Sequence, residues 1–305
     1  MKINLFGALF VLVTFVSCEL GTKLTKETKE TVVTGTTTIL VDETIFPIVE
    51  DVVAVFENEY KNAKINLISK PEGEIVRLLK EDKYKIAILA RNLSRSELQY
   101  YSTKNIIPRV TEFGEDAVVF IAHKSNDKEA VPVDAFASKL KGASSPWNNT
   151  IVFENPESST LSFLKTKLDI DTLDSKAVFS MKDSKELIRF IAANKNAVGV
   201  VGVNWLLQPS LDIEKEVQNV KILGIHTKGI IDGKPWVKPN QSNIADHSYP
   251  WTRKFYLLNF QGANGLGMGF ASYIAGENGQ RILLKSGLSP IKFPSREINV
   301  KGSIE

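Results

Sequence analysis

Three places in the chain combine residue types that hold small anions. Thr44 follows the β-branched run Thr37–Val41, Arg91 ends the apolar run Tyr84–Ala90, and Ser158-Ser159-Thr160 follows Ile151–Phe153. Each stands where a strand hands over to a helix, and ligands of open α/β sheets gather outside the carboxyl ends of strands. A helix start offers unpaired backbone N–H groups and positive potential, worth about 0.3–1 kcal/mol to a nearby anion. Hydroxyls there donate hydrogen bonds, and an arginine grips an oxyanion through two parallel N–H bonds. The chemistry these residues could do is reversible capture of a small oxyanion, with no bond made or broken. Each also has an ordinary structural use: Thr44 and Ser159 as helix N-caps, Arg91 as an ion-pair partner. Acidic neighbours oppose an anion, since Asp42-Glu43 precede Thr44 and Glu157 precedes Ser158. Such repulsion is relieved only where a carboxylate accepts the proton of a protonated oxyanion.

Other chemistries find no support. His123, His226 and His247 lie far apart and make no zinc spacing, so no metal is expected. No G-x-S-x-G occurs, and Asp42 and Glu43 have no acid–base counterpart, so neither a nucleophile elbow nor a hydrolytic pair is expected. The glycines of Gly262–Gly269 lack the G-x-G-x-x-G spacing and read as a loop before a helix. The net charge of +3 is mild and lysines are dispersed, which argues against nucleic acid as a partner. The reading is of a binding protein without cofactor, not an enzyme.

The elements that must position these residues are legible as periodicity. Ile45–Tyr60 and Pro71–Lys83 have helical spacing, and Ser94-Arg95-Ser96-Glu97 has capping-box form. Ala63–Ser69 alternates as a strand, and Tyr84–Ala90 is a nearly continuous apolar strand, as when both faces are covered. This β-α-β-α-β-α order implies a parallel sheet with right-handed crossovers. Glu115–His123 then carries the chain from one sheet into another. A second α/β set follows: strand Ile151–Phe153, helix Thr160–Leu168, helix Lys185–Asn194, strand Ala197–Val201 and strand Asn219–Ile225. The strand Phe255–Phe260 and helices at Gly269–Ala275 and Gly279–Ser286 return to the first lobe.

The amino terminus carries an address. Lys2, the apolar run Leu5–Val16 and Ser17-Cys18 have the form of a secretory signal, with Phe-Val-Ser-Cys resembling a lipobox. The run is shorter than the roughly 20 residues that span a bilayer. Cys18 is the single cysteine, so no intramolecular disulfide can form. We expect a signal peptide over 1–17 and lipidation at Cys18, giving an exported periplasmic or cell-envelope lipoprotein held by its lipid anchor. Residues 18–35, rich in Thr, Lys and Glu, read as a tether.

Later segments together resemble one family. Ala197–Val203 (AVGVVGV), Ile244-Ala245-Asp246 with Tyr249-Pro250-Trp251-Thr252-Arg253 and Tyr256, the ending Phe270…Tyr273…Gly279-Gln280-Arg281-Ile282…Gly287…Pro290, and the turn Ala90-Arg91-Asn92-Leu93 are similar to segments of the periplasmic phosphate-binding proteins of ABC transporters. The resemblance runs from about Thr36 to Pro290 in the same order. It implies an α/β, two-lobed type II periplasmic-binding fold, each lobe a mixed sheet flanked by helices. Lobe 1 would comprise 36–113 and 226–305, and lobe 2 would comprise 114–225. The implied ligand is inorganic phosphate or a related oxyanion, held by Thr44, Arg91, Ser158, Ser159 and Thr160. The implied partners are ABC permease subunits, served by a monomer. Ser159 stands where the family has glycine and Leu161 where it often has arginine, and with Glu157 these departures leave a second reading open: a sensor or interaction protein with a weakened anion pocket.

Overall fold

The computed structural model describes residues 30–231 and 234–294. The signal segment and Cys18 lie outside the described residues. Strand β1 (Gly35–Asp42) leads through a 3-10 turn (Glu43–Ile45) into α1 (Phe46–Glu59), and β2 (Ala63–Lys70), α2 (Glu72–Lys80), β3 (Ile86–Leu89) and α3 (Arg95–Thr103) follow. Pro47 occupies the first turn of α1, where its missing N–H would have no intrahelical acceptor. Ser94 and Glu97 close a reciprocal capping box at α3.

The 15-residue β4 (Arg109–His123) changes partners along its length. Its first part, Arg109–Ala117, pairs with β11 (Thr252–Asn259), and Val118–His123 pair with β8 (Ala197–Gly202) and β9 (Val220–Ile231). The first strand set therefore runs β2-β1-β3-β11-β4, with β1 to β3 parallel and β11 antiparallel to both its neighbours. The second set contains β6 (Thr150–Phe153) between β7 (Val178–Ser180) and β8, all parallel, with β8 antiparallel to β4. The hairpin of β9 with β10 (Lys234–Val237) and the short β5 (Ala130–Val131) extend the β4 side of this second set. By strand pairing, residues up to Val237 stay with the second set, beyond the boundary at 225 read from the sequence. The architecture is mixed α/β.

Between these strands lie α4 (Val133–Leu140), α5 (Ser159–Leu168), α6 (Ser184–Ala193), α7 (Asn204–Leu207) and α8 (Glu214–Val217), then α9 (Gln241–Ala245), α10 (Leu266–Ile274) and α11 (Glu277–Lys285). A two-residue strand, β12 (Ser289–Pro290), pairs back onto β4. Helix α4 has no counterpart in the sequence reading because it carries only two fully buried side chains, Phe136 and Leu140.

Both faces of the first set are covered, which explains the unbroken apolar runs. On β1, Ile39 and Val41 pack into the core beneath α1 and α10, while Leu40 joins Ile75, Leu79 and Tyr101 from α2 and α3 on the opposite face. The segment before β1 is docked. Glu30 Oε1 accepts from the Leu266 N–H at 2.8 Å, and a Cβ placed on Gly269 would lie 1.6 Å from the Val32 carbonyl oxygen. Only glycine fits at that approach. Residues 30–34, read from the sequence as part of a tether, therefore pack against α10. Gly269→Ala is expected to lift residues 30–34 off α10, seen as faster amide exchange across them with β1 still protected.

Candidate functional site

The site is built where β1, β4, β6, β8 and β11 present their ends to one another. At the end of β1, the Asp42 carboxylate accepts from the Thr44 N–H at 3.0 Å and sets the 3-10 turn. That turn buries Thr44 completely. From the second set, Ser158 caps α5 by accepting from the Leu161 N–H at 3.3 Å. The hydroxyls of Thr44 and Ser159 meet at 2.8 Å, joining residues 115 positions apart. Ser158, Ser159 and Thr160 are all at most 3% exposed. By geometry, the first amides of α5 have no acceptor within the helix.

Arg253 on β11 lies opposite Asp116 on β4 in register. Its Nε donates to Asp116 Oδ1 at 2.8 Å and its Nη2 to Oδ2 at 3.1 Å, a bidentate fork between fully enclosed groups. Its Nη1 donates to Ser159 Oγ at 2.9 Å and reaches Thr160 Oγ1 at 3.5 Å. Asn204, opening α7 after β8, donates to the Thr44 carbonyl at 2.9 Å and to Asp116 Oδ2 at 3.2 Å. Burial works against the guanidinium's charge, but Asp116 outweighs it and raises the Arg253 pKa. Burial likewise raises the Asp116 carboxyl, against the pull of Arg253 and Asn204. The two-bond fork holds the pair ionised. Gly202 leaves the room it needs: a Cβ there would sit 2.7 Å from Arg253 Nη2 and 3.0 Å from Asp116 Oδ2.

Acceptor oxygens around this cluster are left without donors. Glu154, at the end of β6, is fully buried and takes the Ser184 hydroxyl on Oε2 at 2.5 Å. Burial raises its pKa to about 7, against the hydroxyls of Ser184 and Thr160 and the charge of Arg253. Glu154 Oε1, Asp42 Oδ2 and Asn204 Oδ1 have no partner among the described residues. Beside the cluster the cleft opens into a cavity of about 690 Å³, with Glu43 and Ser184 at its wall. Burial, and then the nearby Glu154, Asp42 and Asp183, push Glu43 up to about 8.

Thr44, Ser158, Ser159 and Thr160 are therefore brought together, and Arg91 is not. Arg91 donates from Nε to Glu72 at 2.9 Å and, through Nη1 and Nη2, to the two oxygens of Glu97 at 2.8 and 3.0 Å. Glu97 is the capping-box residue of α3, already drawn to the Ser94 N–H at 2.7 Å, so the nearest anions to Arg91 are fixed carboxylates of its own chain. Burial works to raise Glu97, yet Arg91 and Ser94 hold it at about 2. The guanidinium at the centre is Arg253, which sequence reasoning used only as part of a family segment. Asp116, Asn204 and Glu154 were not singled out either. A signal existed at Asp116, which adjoins the unbroken apolar run Ala117–Ala122 of β4, and a charge buried in a sheet needs a partner. Among the described residues, no group of three or more His, Cys, Asp or Glu side chains could hold a metal ion.

A family model described as a PBP superfamily domain matches residues 26–278. Among solved structures, a Clostridium perfringens protein assigned as a phosphate ABC transporter substrate-binding protein, with bound phosphate, is 18% identical. It aligns with a TM-score of 0.69, covering 85% of this chain and 100% of that one. An ABC-type phosphate transport receptor from Vibrio cholerae gives 17% identity and a TM-score of 0.62, covering 84% and 100%. The CcmR regulatory domain from Synechocystis in complex with 2-PG gives 15% and 0.52, covering 79% and 95%. No curated protein matches. At these identities the structural matches establish the fold alone.

Gly202→Ala tests the crowding at the ion pair. The added methyl must displace the fork, so unfolding in urea should show a loss of about 1–3 kcal/mol, as for overpacked cores. An unchanged midpoint would mean that the pair tolerates the shift.

Proposed function

The chain belongs to the PBP superfamily, and from that premise we propose that it captures phosphate or a similar oxyanion and delivers it to an ABC permease. The single observation that carries this reading is the meeting of the Ser159 and Thr160 hydroxyls with the buried Arg253 guanidinium, with the Thr44 hydroxyl bonded to Ser159 from the other strand set. The phosphate bound by the Clostridium perfringens protein and the phosphate-transport role of the Vibrio cholerae receptor support it. Arg253 takes the part that the sequence had suggested for Arg91.

The mechanism is separation and closure of the two strand sets. The Thr44–Ser159 hydroxyl contact joins residues carried by different sets, so an anion inserted there exchanges one internal bond for two charge-assisted ones. Amides at the start of α5 add donors and positive potential. Contacts made by the anion only in the closed arrangement would shift the open–closed balance toward it. Glu154 works against the anion when ionised and for it when protonated, because the neutral carboxyl removes a like charge and supplies an O–H donor.

A second reading is favoured by a specific observation, the surplus of acceptor oxygens at Asp42, Glu154 and Asn204. On that reading the protein is a sensor or interaction protein whose pocket has lost oxyanion affinity. Calorimetry with phosphate and sulfate separates the two. Binding that Thr160→Ala weakens about ten- to a hundredfold, the worth of a hydrogen bond to a charged group, supports capture. No heat from either anion with a folded sample supports the sensor.

Two more outcomes follow from this reading. Glu154 titrates near pH 7, so sulfate affinity should fall as pH rises from 6 to 8, and Glu154→Gln should flatten that dependence. The same carboxyl holds its proton in the folded state after the unfolded chain has released it. Its contribution to stability therefore falls between the ordinary carboxylate range and pH 7 and levels off above, which urea titrations at pH 5 and 8 would register. We also propose that the protein is a lipoprotein of the cell envelope anchored through Cys18. Cys18→Ser should move it from the membrane to the soluble fraction, and persistence in the membrane would exclude that anchor.

A further inference from the structure

The two strand sets also touch outside the hydroxyl cluster. Gly73, the second residue of α2, donates its N–H to the Glu157 carbonyl at 3.2 Å. Helix α2 lies between β2 and β3 of the first set, and Glu157 lies between β6 and α5 of the second. The contact is therefore a hydrogen bond across the cleft, made by main-chain groups and needing no anion. A first-turn amide has no acceptor inside its own helix, so this donor is available to another element. Space for a side chain is limited there. A Cβ on Gly73 would lie 3.2 Å from the Glu157 Cβ and 3.3 Å from its Oε2.

Both ends of this bond are fixed close to the site. On the second set, Asn155 Oδ1 accepts from the Glu157 N–H at 2.9 Å, and the Asn155 carbonyl accepts from the Ser158 N–H at 2.9 Å. The Glu157 carbonyl is thus held one residue before the Ser158–Thr160 hydroxyls. On the first set, the N-cap of α2 is Pro71, which gives the helix start no side-chain bond. Arg91 does the holding instead. Its Nε donates to Glu72, the residue before Gly73, at 2.9 Å, while Nη1 and Nη2 are engaged by Glu97 and the Asn92 carbonyl. The Glu72 side chain is only 7% exposed, and burial raises its pKa against the pull of Arg91. A buried carboxylate stripped of its cation is costly to keep in place, so the first turn of α2 depends on Arg91. The other ion pair at this helix start, Lys70 with Glu74 at 2.9 Å, is more exposed and contributes less.

We propose that Arg91 is a positioning residue for capture: by holding Glu72 it aims the Gly73 N–H at the Glu157 carbonyl, and that clasp keeps the strand sets together beside the hydroxyls. This rests on the capture reading and gives Arg91 a part in it without contact with the anion. The clasp stabilises the closed arrangement whether or not an anion is bound. Its loss lowers the fraction of molecules competent to hold the anion, and with it the apparent affinity.

The test combines calorimetry with phosphate and sulfate and amide exchange at Gly73 without anion, both on the full-length protein in detergent. Arg91→Ala and Glu72→Ala should each speed exchange at Gly73 and weaken phosphate, both by about three- to tenfold, the worth of one hydrogen bond. Amides of β1 should stay protected in both variants. Gly73→Val leaves the ion pair in place and should weaken phosphate to the same extent. Combined with Arg91→Ala it should cost little more than either change alone, because both act on one bond. Tighter phosphate binding in Glu72→Ala would mean that the freed Arg91 grips the anion itself, and overturns the proposal. Unchanged exchange at Gly73 in Arg91→Ala, or losses that simply add in the double variant, overturn it as well. In each of those cases phosphate binding by the unmodified protein leaves the capture reading standing. A folded, unmodified protein that binds neither phosphate nor sulfate overturns the capture reading, and the part of Arg91 in capture with it.

Discussion

A guanidinium can stay charged inside a protein only if every face of it is answered, and the arrangement around Arg253 follows from that requirement. Removing such an ion from water costs several kcal/mol even after relaxation. Asp116 returns charge through two hydrogen bonds, Ser159 accepts from the remaining arm, and Asn204 steadies the carboxylate from the far side. Each partner comes from a different element, so the pair can be satisfied only when β4, β11, α7 and the start of α5 are all in place. The missing side chain at Gly202 is part of the same constraint, because any Cβ there would occupy the space of the fork.

The position of the pair gives it a second consequence. Asp116 and Arg253 are cross-strand neighbours on β4 and β11, one residue before β4 leaves the first strand set and enters the second. The free arm of Arg253 points to hydroxyls carried by the second set, while Thr44 approaches them from the first. A fixed cation at the crossing point, with donors arriving from both sides, is the arrangement expected of a protein that grips a small anion by closing on it. The carboxyls of Asp42 and Glu154 temper this, and the proton that Glu154 retains near neutrality links ligand charge to local electrostatics.

Most elements were legible because burial on both faces leaves a periodic or continuous apolar trace. The helix read over Ile45–Tyr60 is found over Phe46–Glu59, and the strand read over Ala197–Val201 over Ala197–Gly202. What escaped notice was short or weakly amphipathic: α4, α7, α8, α9 and the strands β5, β7, β10 and β12. Their existence depends on neighbours in space, since too few of their own side chains point inward to leave a pattern. Arg91 was misplaced for a related reason. It stands at a strand end, as an anion-binding arginine would, but Glu72 lies 19 residues away in sequence and meets it only through the fold.

The sequence by itself determined the α/β element order, the run of hydroxyls at the start of α5 and the capping box of α3, because these depend on residues within a few positions of one another. It also determined the resemblance to phosphate-binding proteins, since ordered motifs survive in the linear text. The tertiary structure alone decided which cation sits at the centre, which carboxyls surround it and how much open space lies beside them. Those properties arise from side chains brought together across 88 to 160 positions, and charge, burial and volume at such a meeting point are set by distance in space, which spacing along the chain does not encode.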